Sequence, residues 1–474
     1  MVTECNQKTF AFHGLGRRDI VARFDGGRIT SDGGGLLLRE TERLTGIVQQ
    51  FADCFTDHRD PDLIEHTVEE LIGQRVYGLA LGYEDLNDHD ELRHDPMLAV
   101  LVGKEDPTGA ARVRQRDRGK ALAGKSTLNR LELTPVRANA KSRYKKITVD
   151  REAVNSFFVD VFLRSFRKPP RRIVLDLDAT DDPIHGQQLG RFFHGHYKNY
   201  CYLPLYIFCG EHLLCARLRP SDIDASTGSV KELERIVSAI RASWPKVRIV
   251  IRGDSGFCRE PIMHWCEENN VDFVLGLAKN ERLNSEIAPE LRQAEEQFKE
   301  THEAARVFKD FHYRTLKSWS RTRRVVGKAE HLAKGANPRF VVTSLSAEDY
   351  PAQILYEQEY CGRGDMENRI KEQQLYLFAD RTSAATMRAN QLRLWLSSVA
   401  YTLMSALRRL GLQKTPMARA QCNTIRLKLL KIGAQVRVTV RKVWVSLTVS
   451  CPYQQLFARV YDHLRRQQPV PLRC

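Results

Sequence analysis

Three acidic residues in three separated settings carry most of the chemistry open to this chain. Asp178 lies in IVLDLDAT, Asp254 closes VRIVIRGD, and Glu367 lies in YCGRGDMENRIKE. The first two runs are short, β-branched and ended by a polar break, which predicts two buried strands, each delivering an Asp at its exit. Period two places Val174, Asp176 and Asp178 on one strand face. Two carboxylates on a buried face repel and desolvate badly unless a cation neutralises them. In the third segment Arg363, Glu367 and Lys371 recur at i, i+4 and i+8, so a helix aligns them on one side, beside an apolar stripe of Met366, Ile370 and Leu377. Taken singly, each setting has an ordinary reading: Asp176 or Asp254 as a turn-capping aspartate, the helix as a solvated, salt-bridged face. Together, on a basic chain, three distant carboxylates point to a divalent-metal site acting on a phosphodiester.

The elements that must position these residues alternate between strand and helix. A strand is predicted at 173–179, two further apolar runs at YLPLYIF and HLLCARLRP, a helix at 229–243 and a strand at 247–252. A helix at 260–269 then precedes FVLGLA, and the interleaving argues an α/β fold. Between Asp254 and Glu367 the runs VFKDFHYRTL, RRVVGKAEHL and RFVVTSL alternate, which predicts a β-rich insertion at about 282–350. A long helical region is expected over 364–411. Upstream, Gly-rich turns within residues 1–45 predict a small β element leading into a helix. Leu63, Val68, Leu71, Ile72, Val76 and Leu79 then follow a helical period. The tail at 434–449 alternates valine with Arg or Thr, as a hairpin with one basic face does. The turn KPPRR places the start of the core near residue 168. This gives an N-terminal DNA-binding region at 1–168, a core at 169–411 and a basic C-terminal region at 412–474.

Charge narrows the partner. The chain of 474 residues carries a net charge of +16, with ordinary hydrophobic content of 42%. Residues 51–100 hold 13 acidic and 3 basic side chains, residues 111–146 hold 12 basic and 2 acidic, and residues 401–474 hold 14 basic and a single acid, Asp462. Two basic blocks around a near-neutral middle fit a polyanion-binding protein with a catalytic centre, the ordinary alternative being two solvated faces. Arg112, Arg114, Arg116 and Arg118 are the candidate DNA contacts of the first block. The 11 cysteines include no C-x-x-C pair, so they read as reduced thiols of a cytoplasmic protein. The start MVTECNQKTF has no apolar signal core, and LWLSSVAYTLMSAL at 394–407 is too short to span a bilayer. No membrane role is expected.

The order Asp178-x-Thr180, then Asp254, then Tyr360-x-x-Arg363-x-x-x-Glu367 resembles the cut-and-paste DDE transposases of bacterial insertion sequences, in the group bearing a Y-x-x-R-x-x-x-E signature. The resemblance covers roughly residues 170–410. It implies a ribonuclease-H-like catalytic core with a β-rich insertion, flanked by a mostly helical N-terminal region and a basic C-terminal region. It also implies two Mg²⁺ ions, replaceable by Mn²⁺, held by Asp178, Asp254 and Glu367. Double-stranded DNA, as terminal inverted repeats and target, would be bound by a homodimer in a bacterial, nucleoid-associated setting. Tyr360 and Arg363 would then position a phosphate. The wider signature has a Lys seven residues after the Glu; here that residue is Gln374, and Lys371 is the candidate substitute. An aromatic from the insertion can stack on an extruded base in this group, which nominates Trp319 in LKSWSRTRR; a Trp packing one side of a hairpin is the alternative. Two other functions fit parts of the pattern. Asp176-x-Asp178-x-Thr180 also resembles the nucleophile strand of haloacid-dehalogenase-like phosphatases. A non-catalytic DNA-binding descendant of a transposase would keep the same residues.

Overall fold

Strand alternation sets the architecture of the centre of the chain. In the computed structural model, which describes residues 9–469, Arg172–Ala179 forms strand β1, Leu205–Cys209 β2, His212–Arg217 β3, Arg248–Gly253 β4 and Asp272–Leu277 β5. The later alternating runs form β6 (Ala305–Tyr313), β7 (Arg323–Leu332) and β8 (Arg339–Thr343). All eight lie in one sheet in the order β3-β2-β1-β4-β5-β8-β7-β6. Strand β4 is parallel to both β1 and β5, and every other neighbouring pair on this path is antiparallel. The expected α/β character is therefore present. Cys5, Cys474 and the first eight residues of MVTECNQKTF lie outside the described residues.

The two faces of the sheet are covered differently. Helices α1 (Arg151–Arg164), α2 (Ser229–Ser243) and α3 (Glu260–Glu268) contribute Phe162, Leu233, Ile236, Ile240 and Ile262 to one buried cluster. They meet Ile173, Leu175 and Leu177 of β1 and Ile249 and Ile251 of β4 there. The alternate residues face the other way. Val250, Val274, Val326 and Val341 pack with Leu355 and Tyr356, and Val174 and Tyr360 join at the margin. The chain segment that leads into Glu367 thus lies on the face that Asp176 and Asp178 share.

The β-rich stretch expected at about 282–350 begins with helices Glu281–Glu286 and Ala288–Thr301, and its strands then continue the main sheet, because β8 pairs directly with β5. The helical region 364–411 is interrupted. Helix α4 (Gly364–Lys371) runs into a wide turn at Glu372–Tyr376, Phe378 takes φ 61°, and a new helix spans Met387–Gly411. The polar stretch between them is fixed by Asn390, whose side chain bonds the backbone of Ala384 in both directions at 2.9 Å. Packing divides the chain into residues 150–398 and residues 1–149 with 399–474, beside the expected boundaries at 168 and 411. Helix α1 belongs with the sheet, since Phe162 meets Trp244 and His212 edge-on at 5.3 Å. The prolines after it are a short connection rather than a linker.

The other unit is rich in helices. Val68–Leu81 is the helix its apolar period predicted and starts from a capping box between Thr67 and Glu70, while Leu63, expected in the same period, lies in the turn Pro61–Leu63 and is exposed. The run Gly33–Gly35 is a close-packing device: a Cβ on Gly34 would come within 1.8 Å of the Leu429 carbonyl oxygen. The tail forms the expected hairpin, Ala434–Val438 with Val443–Leu447, and its first strand also pairs with Ile29–Thr30. Among the described residues the cysteines are free, and no helix is long and apolar enough to cross a membrane.

Candidate active site

The parallel register of β1 and β4 builds the site one rung at a time. Val174 lies beside Val250, Asp176 beside Arg252, and Leu177 beside Gly253. On the face away from α1–α3 the rungs are therefore an apolar pair and an ion pair, and Asp178 and Asp254 each follow the last paired residues, Leu177 and Gly253. The ion pair is two-pronged: Arg252 donates from Nε to Asp176 Oδ1 at 2.5 Å and from Nη2 to Oδ2 at 2.9 Å. Arg252 Nη1 also donates to the Glu359 carbonyl, and Arg172 pairs with the Glu359 carboxylate at 2.6 Å. Asp176 thus helps fasten the segment carrying Glu367 onto the sheet. Both its carboxylate oxygens are engaged by Arg252, whereas the phosphatase alternative needs a free nucleophile there.

Asp178 is in a different electrostatic state. Its Oδ1 accepts from the Ala179 N–H at 2.9 Å. Burial pushes its carboxyl up to about 7, the negative charge of Asp254 adds to the effect, and Arg363 opposes it. Asp254 itself accepts from the Gly256 N–H at 2.8 Å, so it is both the turn aspartate and the neighbour of Asp178.

The third carboxylate arrives through an irregular helix. A wide turn at Leu355–Tyr360 and a tight one at Cys361–Arg363 precede α4. Arg363 then stands between two acids, with Nη2 at 2.6 Å from Glu367 Oε1 and Nη1 at 3.9 Å from Asp178 Oδ2. Burial works against its charge, but Asp178 and Glu367 outweigh it and raise its pKa. The Tyr360 hydroxyl is seated over Gly276, where a Cβ would come within 2.5 Å of it and 3.1 Å of the Ser255 nitrogen. Met366 and Ile370 are buried, as the apolar stripe predicted. Lys371 is exposed on the last turn of α4. Gln374 holds the turn after β1, donating to the Asp181 carbonyl at 3.0 Å and to Asp182 Oδ1 at 2.9 Å.

Sequence reasoning missed two residues here. Arg252 had a signal, since Arg252-x-Asp254 copies the spacing of Asp176-x-Asp178. Tyr197 had none. Its hydroxyl donates to the Ala179 carbonyl at 3.1 Å, and burial, with the charges of Asp178, Asp181 and Asp254, pushes its phenol up to about 12. Trp319 requires a correction: it is 5% exposed, edge-on to Tyr313 at 5.8 Å, with the Arg323 guanidinium 5.5 Å from its ring. Its ring meets the strands that flank it, through Tyr313 and Arg323, in a core shared with β4 and β5, which its polar local setting did not show.

The basic block 111–146 lies in the other unit and lines a groove of about 710 Å³ with Arg114, Arg116, Lys120, Arg130 and Lys146. Arg114, Arg116 and Arg118 are exposed. Arg112 is engaged with Glu65 at 2.8 Å and with His66 at 2.8 Å. Burial and the charges of Lys104 and Arg112 hold His66 neutral, its pKa pushed down to about 3.

Among the described residues, no three His, Cys, Asp or Glu side chains close around one metal-sized point. The arrangement is an acid pair, with Glu367 linked to it through Arg363. Carboxylate oxygens are the donors that Mg²⁺ and Mn²⁺ prefer, and a cation would relieve the pair that raises Asp178. The donor set fits such an ion. Residues 12–469 match the family described as transposase DDE domain group 1, and the chain belongs to that family. A search of curated proteins finds no match.

Proposed function

We propose that this DDE transposase cuts its own element from DNA and joins it to a target by metal-dependent phosphodiester chemistry, with Asp178, Asp254 and Glu367 as the acidic set. The observation that carries the reading is that Asp178 and Asp254 each follow the last paired residues of the two central strands, Leu177 and Gly253, and that the charge of Asp254 acts on Asp178, together with Arg363 leading from Glu367 back to Asp178. The order β3-β2-β1-β4-β5, with β2 alone reversed, supports a ribonuclease-H-like core.

Asp178 and Asp254 would hold Mg²⁺ or Mn²⁺, and Glu367 would complete the set. Such ions supply Lewis acidity toward the attacking water or 3′-hydroxyl and the leaving oxygen. The chain's own groups have separate tasks. The Arg363 fork can donate to a phosphate oxygen as readily as to a carboxylate, so it would hold the scissile strand at the acid pair. The Tyr360 hydroxyl offers a second donor beside Asp254, and exposed Lys371 adds positive charge along α4. Terminal repeats and target duplex are the partners, held by a homodimer.

A plasmid carrying the reading frame and its natural flanks tests this. With Mg²⁺ the purified protein should release the element, whereas Asp178→Asn, Asp254→Asn and Glu367→Gln should bind the flanks and release nothing. Wild-type protein that binds the flanks yet leaves them uncut in both Mg²⁺ and Mn²⁺ would overturn cleavage in favour of a DNA-binding descendant.

A further inference from the structure

Between β1 and β2 the chain builds a small three-stranded element that the acidic set does not use. Phe192–His194 and Asn199–Tyr202 form a hairpin, and Asn199–Tyr202 also pairs with Asp182–Pro183. Cys201 and Tyr202 are buried, and the Tyr202 hydroxyl donates to the Leu189 carbonyl at 2.7 Å. Phe192, Phe193 and Tyr200 are instead 43%, 57% and 48% exposed.

Phe193 and Tyr200 are direct cross-strand partners and meet edge to face at 5.6 Å, a contact that takes up one ring face between them. The Arg191 guanidinium lies 4.6 Å from the Tyr200 ring, and Lys198 sits in the turn. Three aromatics left about half exposed in one small element form a larger apolar surface than the fold needs there. Aromatic faces beside Arg and Lys are what unpaired nucleobases and their backbone require.

The hairpin is also fixed to the acid pair. Tyr197, in its turn, donates to the carbonyl of Ala179, the residue after Asp178. Asn199 Nδ2 donates to Asp181 Oδ2 at 2.9 Å. On the transposase reading, a strand lying across Asp178 and Asp254 therefore has this patch next to it.

We propose that the hairpin Phe192–Tyr202 is a stacking platform for unpaired nucleotides beside the scissile phosphate, Phe193 and Tyr200 taking the bases and Arg191 and Lys198 the backbone, a role that rests on the transposase reading of Asp178 and Asp254.

Fluorescence anisotropy of the full chain, without metal, on a blunt duplex and on the same duplex ending in an unpaired fork tests the assignment. Wild type should prefer the fork. The double variant Phe193→Ala, Tyr200→Ala should lose roughly 5- to 150-fold in fork affinity per base no longer stacked, with blunt-duplex affinity unchanged. The ring-keeping variant Phe193→Tyr, Tyr200→Phe should retain the preference, and thermal melting should find both variants folded, the double alanine variant somewhat less stable for the loss of its cross-strand pair. Equal wild-type affinity for the two probes, an unchanged fork affinity in the double variant, or a parallel loss on both probes would overturn the platform. Loss of a concentration-dependent dimer with fork binding intact would assign the patch to a second copy of the chain instead. Wild type that binds neither probe would remove the transposase reading, and the platform with it.

Discussion

At the residue scale, Asp176 and Asp178 are two positions apart on one strand and differ in everything that matters. Asp176 neutralises Arg252, whose side chain is 11% exposed, whereas Asp178 faces Asp254 and is pushed up to about 7, first by burial. Asp176→Ala should strand a buried guanidinium and lower stability by roughly 3–5 kcal/mol. Asp178→Asn removes a like-charge repulsion, so its melting temperature should equal or exceed that of wild type while cleavage is lost. Thermal melting of the two variants side by side checks the contrast, and equal losses would sink it. The positions of Asp178 and Asp254 were legible because each closes an apolar run. The partner of Asp176 was not, because register between strands so far apart in sequence has no local signature. Trp319 is buried for a different reason: Tyr313 and Arg323 of the strands on either side pack around it, in a core shared with β4 and β5. Trp319→Ala should cost roughly 3–5 kcal/mol, read as a lower denaturation midpoint, and a variant of wild-type stability would refute the packing role.

At the scale of elements, the turn after β1 is held by a polar contact with no charge partner in it. Asp182 is fully buried, accepts from Gln374, and burial pushes its carboxyl from 3.8 up to about 8. A raised folded pKa means the group favours folding when protonated. That contribution is complete below pH 3.8 and is lost as pH rises through about 8. Asp182→Asn keeps an acceptor for Gln374 and cannot ionise. Its advantage in melting temperature over wild type should grow with pH and level off above about 8. A pH-independent difference would show that the carboxyl is not held neutral. Local pattern was enough for isolated elements such as Ser229–Ser243 and the hairpin at Ala434–Leu447. It was not enough where a strand's partner decides its place, as β8 does by pairing with β5. Nor did it reveal the break at Phe378, since helical periodicity resumes on both sides.

At the scale of the whole molecule, a net charge of +16 overstates the cation available to DNA. The acidic block 51–100 and the basic block 111–146 are partners within one unit. Arg112 pairs with Glu65 at 2.8 Å and Lys125 with Asp90 at 3.3 Å. Counting charges along the chain treated the two blocks as separate, because nothing in their composition says which side chains meet. The surplus that remains lines the groove, where Arg114, Arg116, Lys120 and Arg130 stand near Tyr144. Each phosphate contact contributes about −0.9 to the slope of log affinity against log salt on duplex DNA. Replacing those four residues by Gln should therefore flatten the slope by roughly 3 to 4 if each meets one phosphate. Arg112→Gln should leave the slope nearly unchanged and lower the stability of its own unit, since it removes the partner of Glu65 and His66. Anisotropy titrations of a duplex probe over a salt series, with the two variants in parallel, separate these outcomes. A slope that the fourfold variant leaves intact would make the groove a solvated surface and send the search for DNA contacts to the basic C-terminal hairpin.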